Sequence, residues 1–304
     1  MNVLLYVGVG AVIAILFFAA YFWTADEMPQ LETNNDKIRI YATFFPYYEF
    51  TKNIAGDRAE TMQFISSNAQ THEWEPSAKK IQTLTEIDIF VYNGLGAESY
   101  VNKIIDSDQF NNIEFIKATD GIDLIKINDT IDPHMWLDPI LVKKQVINIM
   151  NGLIKVDPIN AQYYEKNAMM YNMKLDALDQ KIISTLSTCN KNKIITYHNA
   201  FTYFADRYEL ELFSLGGLES ENEFSSLKMI EFIEYAKNND ISVIFAEELV
   251  DPRLTEIIAT EINGMVLFFN PLETISNQDA SNGVTFIDKM EDNLAVLEKA
   301  LECQ

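Results

Sequence analysis

The chain reads as an α/β protein. Two four-stranded blocks share one long helix, and an apolar membrane run lies ahead of them. Three observations carry this reading. Short apolar strands alternate with helical segments twice along the sequence. The stretch from Pro158 to about Ser187 is helical in character and holds no Gly or further Pro. Val3 to Trp23 is apolar and uncharged. At roughly 150 residues per domain, a chain of 304 residues suggests two domains, and a 48% hydrophobic share is ample for a core.

The first element is the run VLLYVGVGAVIAILFFAAYFW, 21 residues long. About 20 such residues span a bilayer, and the run exceeds the roughly 7–15 apolar residues of a signal peptide. It is therefore expected to be a transmembrane anchor at 1–23, with cleavage after Ala19-Ala20 as the alternative. It contains no Cys and so no lipidation site. Residues 24–36 are polar and read as a tether. No Lys or Arg precedes the run, so the positive-inside rule has little to act on. The soluble part is read as lying on the outer face of the cytoplasmic membrane, or secreted if the run is removed.

An N-terminal lobe is expected over 37–156. Lys37–Phe45, Glu60–Ser66, Ile87–Tyr92 and Ile113–Lys117 read as strands, with helices at Tyr47–Ala55 and Ser77–Thr85 between them. Alternation of this kind implies βαβ units and a mostly parallel sheet. Asp157 then suits an N-cap and Pro158 the first helical position, opening a linking helix over 157–188. Some 30 residues of helix span about 45 Å, more than one small domain, so this helix reads as a spine shared by two. The C-terminal lobe, 189–304, repeats the plan. Its strands are Lys193–Tyr197, Leu210–Ser214, Ile241–Ala246 and Met265–Phe269. Its helices are Ala200–Tyr208, Ser225–Asn238, Pro252–Ile262 and Thr285–Leu301.

Charge and composition narrow the function. With 23 basic and 45 acidic residues the net charge is −22, which argues against a nucleic-acid partner because phosphate binding needs a basic face. Two cysteines, Cys189 and Cys303, are too few for a disulfide scaffold. An oxidising exterior permits one bond between them, and free buried thiols are the alternative. Asn128-Asp129-Thr130 is a glycosylation acceptor sequence.

Only three histidines are present. His72 lies between a strand and the helix that starts near Ser77. His134 lies in the Pro-bracketed loop DPHMWLDP before a helix, and His198 ends a strand. Open α/β sheets bind ligands at the carboxyl ends of their strands, and three imidazoles can hold a metal with a fourth position variable. Taken singly, each His reads first as a surface or capping residue, and no HExxH or CxxC supports a local metal motif.

The wording around the histidines adds a resemblance. HEWEPSAKKI, DPHMWLDP, YHNAFTYFADRY, FAEELVDPR and FFNPLE, in this order, resemble the substrate-binding proteins of zinc and manganese ABC importers, the ZnuA/TroA type. The match runs over about Lys37 to Leu301. It implies two similar α/β sandwich lobes with four-stranded, mostly parallel sheets, joined by one long rigid helix, with one divalent metal in the cleft. It assigns His72 and His134 to the ligands of the first lobe and His198 to the third. His at that third position favours Zn²⁺, with Mn²⁺ next and iron as a further option. The fourth position usually carries Asp, and the corresponding residue here is Asn270. Asn270 could coordinate weakly, a water could stand there, or Glu219 or Glu221 could swing in. Glu73, Glu75, Asp132, Asp138 and Glu247 could orient imidazoles or cap helices, with capping or packing favoured for Asp138 and Glu247. Trp74 and Trp136 are expected to pack the cleft. The family's long His-rich loop is absent, since Gly121–Asp132 is short and holds no His.

The expected function is capture of a divalent transition metal outside the cell and delivery to an ABC permease with its ATPase. The chain is expected to be a monomer and not an enzyme. Two alternatives are a three-His zinc hydrolase with Glu73 as base, and a surface adhesin or metal-storage protein on the same fold.

Overall fold

The computed structural model describes residues 37–67, 69, 71–218, 226–247 and 253–304, and Ile38–Gln304 forms one compact unit. The anchor at 3–23, the tether and both Glu219 and Glu221 lie outside the described residues. Among the described residues, no helix is long and apolar enough to cross a membrane.

The first lobe alternates as the sequence predicts. Its elements are β1 (Ile38–Ala42), α1 (Phe45–Ala55), β2 (Ala59–Gln63), α2 (Ala78–Gln82), β3 (Ile89–Tyr92), α3 (Val101–Ile105) and β4 (Glu114–Lys117). The strands form one parallel sheet in the order β2-β1-β3-β4. Central strands of such a sheet are covered on both faces and so are apolar throughout; Ile89, Phe90 and Val91 are all fully buried. Helix α1 stops at Gly56, where φ is +50° and a β-carbon would collide with the Tyr163 hydroxyl. The Gly121–Asp132 stretch contains a small hairpin, β5 (Lys126–Ile127) and β6 (Thr130–Ile131). Its turn residues Asn128 and Asp129 have positive φ, as a tight hairpin with these residues requires.

Two helices follow. Helix α4 (Pro139–Val156) is 18 residues long and packs on β4 and α1. Helix α5 (Ala161–Leu186) is the linking helix, at 26 residues somewhat shorter than the sequence predicts. Asp157 ends α4 rather than capping α5, and its carboxylate accepts from Asn160 Nδ2 (2.6 Å) and the Tyr164 hydroxyl (2.7 Å). Helix α5 buries Tyr164, Ala168, Tyr171, Leu175, Leu178 and Ile182, a stripe at alternating four- and three-residue steps that marks one helical face. That stripe serves both lobes, because α5 packs on α1 and α4 and also on the final helix.

The second lobe comprises β7 (Lys193–Thr196), α6 (Thr202–Arg207), β8 (Glu211–Ser214), α7 (Ser226–Asn238), β9 (Val243–Ala246), α8 (Arg253–Glu261), β10 (Met265–Phe268), α9 (Asn277–Asn282) and α10 (Phe286–Ala300). Its parallel sheet runs β10-β9-β7-β8. Read from the other edge this is second, first, third, fourth, the order of the first lobe. The main apolar core is continuous through both lobes and includes Trp136 and Ile149 with Phe201, Phe245 and Phe269. Arg207 links the lobes further, pairing with Asp179 of α5 at 2.7 Å and reaching Asp138 at 3.5 Å. Cys189 and Cys303 form a disulfide that joins the exit of α5 to the end of the chain.

Candidate metal centre

The three histidines, far apart in sequence, meet in the cleft. His72 arrives on the loop between β2 and α2, and His134 on the loop after β6. His198 stands two residues past the carboxyl end of β7. His72 Nε2 and His134 Nε2 are 3.3 Å apart. The fourth side chain is Glu273, whose Oε1 lies 3.2 Å from His72 Nε2, 3.3 Å from His134 Nε2 and 3.6 Å from His198 Nε2. All four ligand atoms fall within 4.8 Å of one another. Ligands about 2.0–2.1 Å from a tetrahedral zinc are separated by roughly 3.3–3.4 Å, so the spacing suits that ion. An octahedral, oxygen-rich set of the kind manganese prefers is not what these residues offer.

The backbone around each imidazole explains its aim. Asp132 Oδ1 accepts from the His134 backbone N–H (2.9 Å) and pairs with the ring Nδ1 (2.7 Å). Glu247, at the carboxyl end of β9, pairs with His198 Nδ1 at 2.5 Å. A carboxylate on Nδ1 fixes the tautomer and leaves Nε2 free to face a metal. Burial alone would lower the pKa of His198, but Glu247 and Glu273 outweigh it and hold it at about 10. For Glu273, burial works toward a higher pKa. The three imidazoles overcome this and keep the carboxyl well below its ordinary range.

The sequence leaves the fourth corner open between Asn270, a water, Glu219 and Glu221; among the described residues it is Glu273 that stands with the imidazoles. Asn270 is buried, its Oδ1 accepts from the Leu272 N–H at 2.7 Å, and its backbone is gripped at both ends by the Asn293 amide. The amide thus closes a turn, with Leu272 at φ +62°, and the turn carries Glu273 into the cleft. The signal for this was present in FNPLE, as a carboxylate three residues past the strand end. It is not read from spacing because the turn that returns it depends on a side-chain cap.

The flanking acids divide. Asp138 caps α4, accepting from Ile140 N (2.7 Å) and Leu141 N (3.3 Å). Glu247 orients His198 instead of capping, contrary to the sequence expectation. Glu75 accepts from the Ser99 hydroxyl (3.3 Å), and Glu73 is exposed. Trp74 packs on Phe64 and Tyr100. Trp136 packs on Phe44 and on His134 itself.

Comparison with known proteins agrees with this geometry. A family model described as the periplasmic zinc-uptake complex component A matches residues 40–300. The chain is 34% identical over 285 residues to the high-affinity zinc uptake system protein ZnuA of Bacillus subtilis, covering 89% of each. It is 33% identical over 281 residues to the zinc-binding lipoprotein AdcA of Streptococcus pneumoniae, covering 88% of this chain but only 56% of that one. The solved Zn(II)-bound ZnuA-like domain of AdcA superposes with a TM-score of 0.78 at 34% identity, over 88% of this chain and all of that one. The laminin-binding protein Lmb of Streptococcus agalactiae, described as an adhesin with metal-transporting activity, gives 0.82 at 26% identity, over 88% of this chain and all of that one. The family model's match across nearly all of the described chain, with a two-lobed α/β fold shared with these relatives, places the chain in the family of the periplasmic zinc-uptake complex component A.

Proposed function

We propose that this protein captures Zn²⁺ outside the cytoplasmic membrane and hands it to an ABC permease driven by its ATPase. The observation that carries the reading is the convergence of His72, His134 and His198 Nε2 with Glu273 Oε1, all within 4.8 Å of one another. In this reading Glu273 supplies the fourth ligand and Asn270 supports it by closing the turn. Zinc fits a four-coordinate nitrogen-rich set better than manganese does. The roles of the relatives, a zinc uptake protein and a zinc-binding lipoprotein, support the same cargo. The apolar run at 3–23 serves as the anchor in the membrane, and the protein acts as a monomer.

Capture proceeds by exchange of zinc-bound water for the four side chains. The movement is small, because the lobes share one apolar core and the Arg207 pairing. The acidic surface draws cations toward the cleft, while the buried ligands select among them. A hydrolytic role has weaker support. Activated water needs an open fourth position, and Glu273 stands there. Competition titration of the full chain with a zinc chelator tests the proposal. Loss of binding in a His72→Ala, His134→Ala double variant is expected, and unchanged affinity would overturn it.

A further inference from the structure

Among the described residues Trp136 is the largest fully buried side chain. It sits in the 3₁₀ turn Met135–Leu137 directly after His134. Its one polar atom, Nε1, points across to the other lobe and donates to the Pro271 carbonyl at 2.7 Å. Beside the other first-lobe ligand, the Thr71 hydroxyl donates to the Glu273 carbonyl at 3.2 Å. The carbonyls on either side of Leu272 are therefore held by residues adjacent in sequence or within one turn of His72 and His134. Leu272 itself is in the left-handed region, which a residue with a β-carbon rarely adopts unless held there.

Building on the zinc reading above, we propose that Trp136, seconded by Thr71, is a positioning residue for Glu273. It latches the Pro271–Glu273 segment of the second lobe onto the loops of the first, so that the carboxylate stands among the imidazoles before metal arrives. Without the latch the segment relaxes out of its held conformation, and each binding event must reorder it. The site then keeps its three imidazoles but loses its preset fourth corner. Ligand-supporting contacts of this kind are worth about 10–100-fold in metal affinity.

The test is a double-mutant cycle on the full chain. Trp136→Phe preserves an aromatic ring in the cluster and removes only the N–H donor. It is expected to weaken zinc binding about 10–100-fold, through faster dissociation. In a Glu273→Gln background the same change should add less than about threefold, because the group it positions is gone. Thr71→Val should behave alike with a smaller effect, and it answers the question if Trp136→Phe does not fold. Cobalt substitution gives a second readout. The visible spectrum of a four-coordinate ion should shift in Trp136→Phe and resemble that of Glu273→Gln. Equal losses of affinity in both backgrounds would overturn the positioning role, as would a wild-type cobalt spectrum in the variants. If wild type itself bound no zinc, the functional reading would fall first; if it bound zinc and both variants matched it, only the latch would fall.

Discussion

Removing the Cys189–Cys303 disulfide should destabilise the protein strongly and leave zinc binding unchanged. The bond closes a loop with a sequence separation of 114, which contains the whole second lobe. In the chain-entropy treatment a loop of about 100 residues contributes about 4.7 kcal/mol, and the logarithmic dependence makes this loop only slightly larger. The native ends stay together without the bond. Lys191 N–H donates to Leu301 O (3.1 Å), the Asn190 amide donates to Glu302 O (2.9 Å), and Lys191 pairs with Glu302 (2.7 Å). The loss therefore arises in the unfolded chain, which gains freedom. For Cys189→Ser, Cys303→Ser, urea unfolding of metal-free protein should show a fall of about 3–5 kcal/mol with a larger m-value. Calorimetry should show Tm lower by roughly 6–20 °C at 2–4 °C per kcal/mol. The bridge lies at the amino ends of the second-lobe strands, and the metal centre lies at their carboxyl ends. A loss under about 1 kcal/mol with unchanged m would refute the entropic reasoning, and a large fall in zinc affinity would refute the separation of the two regions.

Three further outcomes are expected. Glu273→Gln should weaken zinc at least about 100-fold in chelator competition, as loss of a charged ligand exceeds loss of a supporting contact; Asn270→Asp should change affinity far less and instead lower Tm by placing a buried charge. Zinc at about 1,000 times its Kd should raise the unfolding free energy by about 4 kcal/mol, reversed by chelator and absent from the His72→Ala, His134→Ala variant. Burial lifts the Glu98 pKa to about 6 from an ordinary 4.5, despite the hydrogen bonds that its carboxylate accepts from the Asn93 and Gly94 N–H groups and the Thr43 hydroxyl. The folded state then binds more protons than the unfolded one between those values. Glu98 should cost about 2 kcal/mol of stability as pH rises through that window, a slope that Glu98→Gln removes; a carboxyl NMR midpoint near 4.5 would contradict this.

Much of the architecture was legible because it depends on local signals. Four apolar runs per block, Asp and Pro at helix starts, and a Gly-free central stretch locate the strands and α5 to within a few residues. The three histidines stood out through the loops and strand end they occupy and the motifs around them. What the sequence did not show depends on contacts across it. Asp157 looks like a cap but is drawn to Tyr164 and Asn160. Glu247 looks like a cap but faces His198. Glu273 reaches the cleft through a turn that Asn270 closes, and Asn293, more than twenty residues away, holds the backbone of Asn270 at both ends. The pairing of Cys189 with Cys303 is likewise a matter of where two distant ends finish.

The shared strand order of the two sheets means that each lobe has its own crevice where the order reverses, between β1 and β3 and between β7 and β9. In the second lobe that crevice presents His198 and Glu247 to the cleft. In the first it is already full. The backbone N–H groups of Asn93 (2.8 Å) and Gly94 (3.0 Å) and the Thr43 hydroxyl (2.7 Å) enclose the Glu98 carboxylate. Amides and a hydroxyl gathered at the carboxyl ends of parallel strands are what α/β proteins offer to anionic ligands. Here the chain has supplied its own tenant, a plug from within. The Asn93 amide, beside that plug, donates to the Pro133 carbonyl at 3.2 Å, directly before His134. The first-lobe crevice thus braces the loop that carries His134, while the second-lobe crevice presents a ligand of its own.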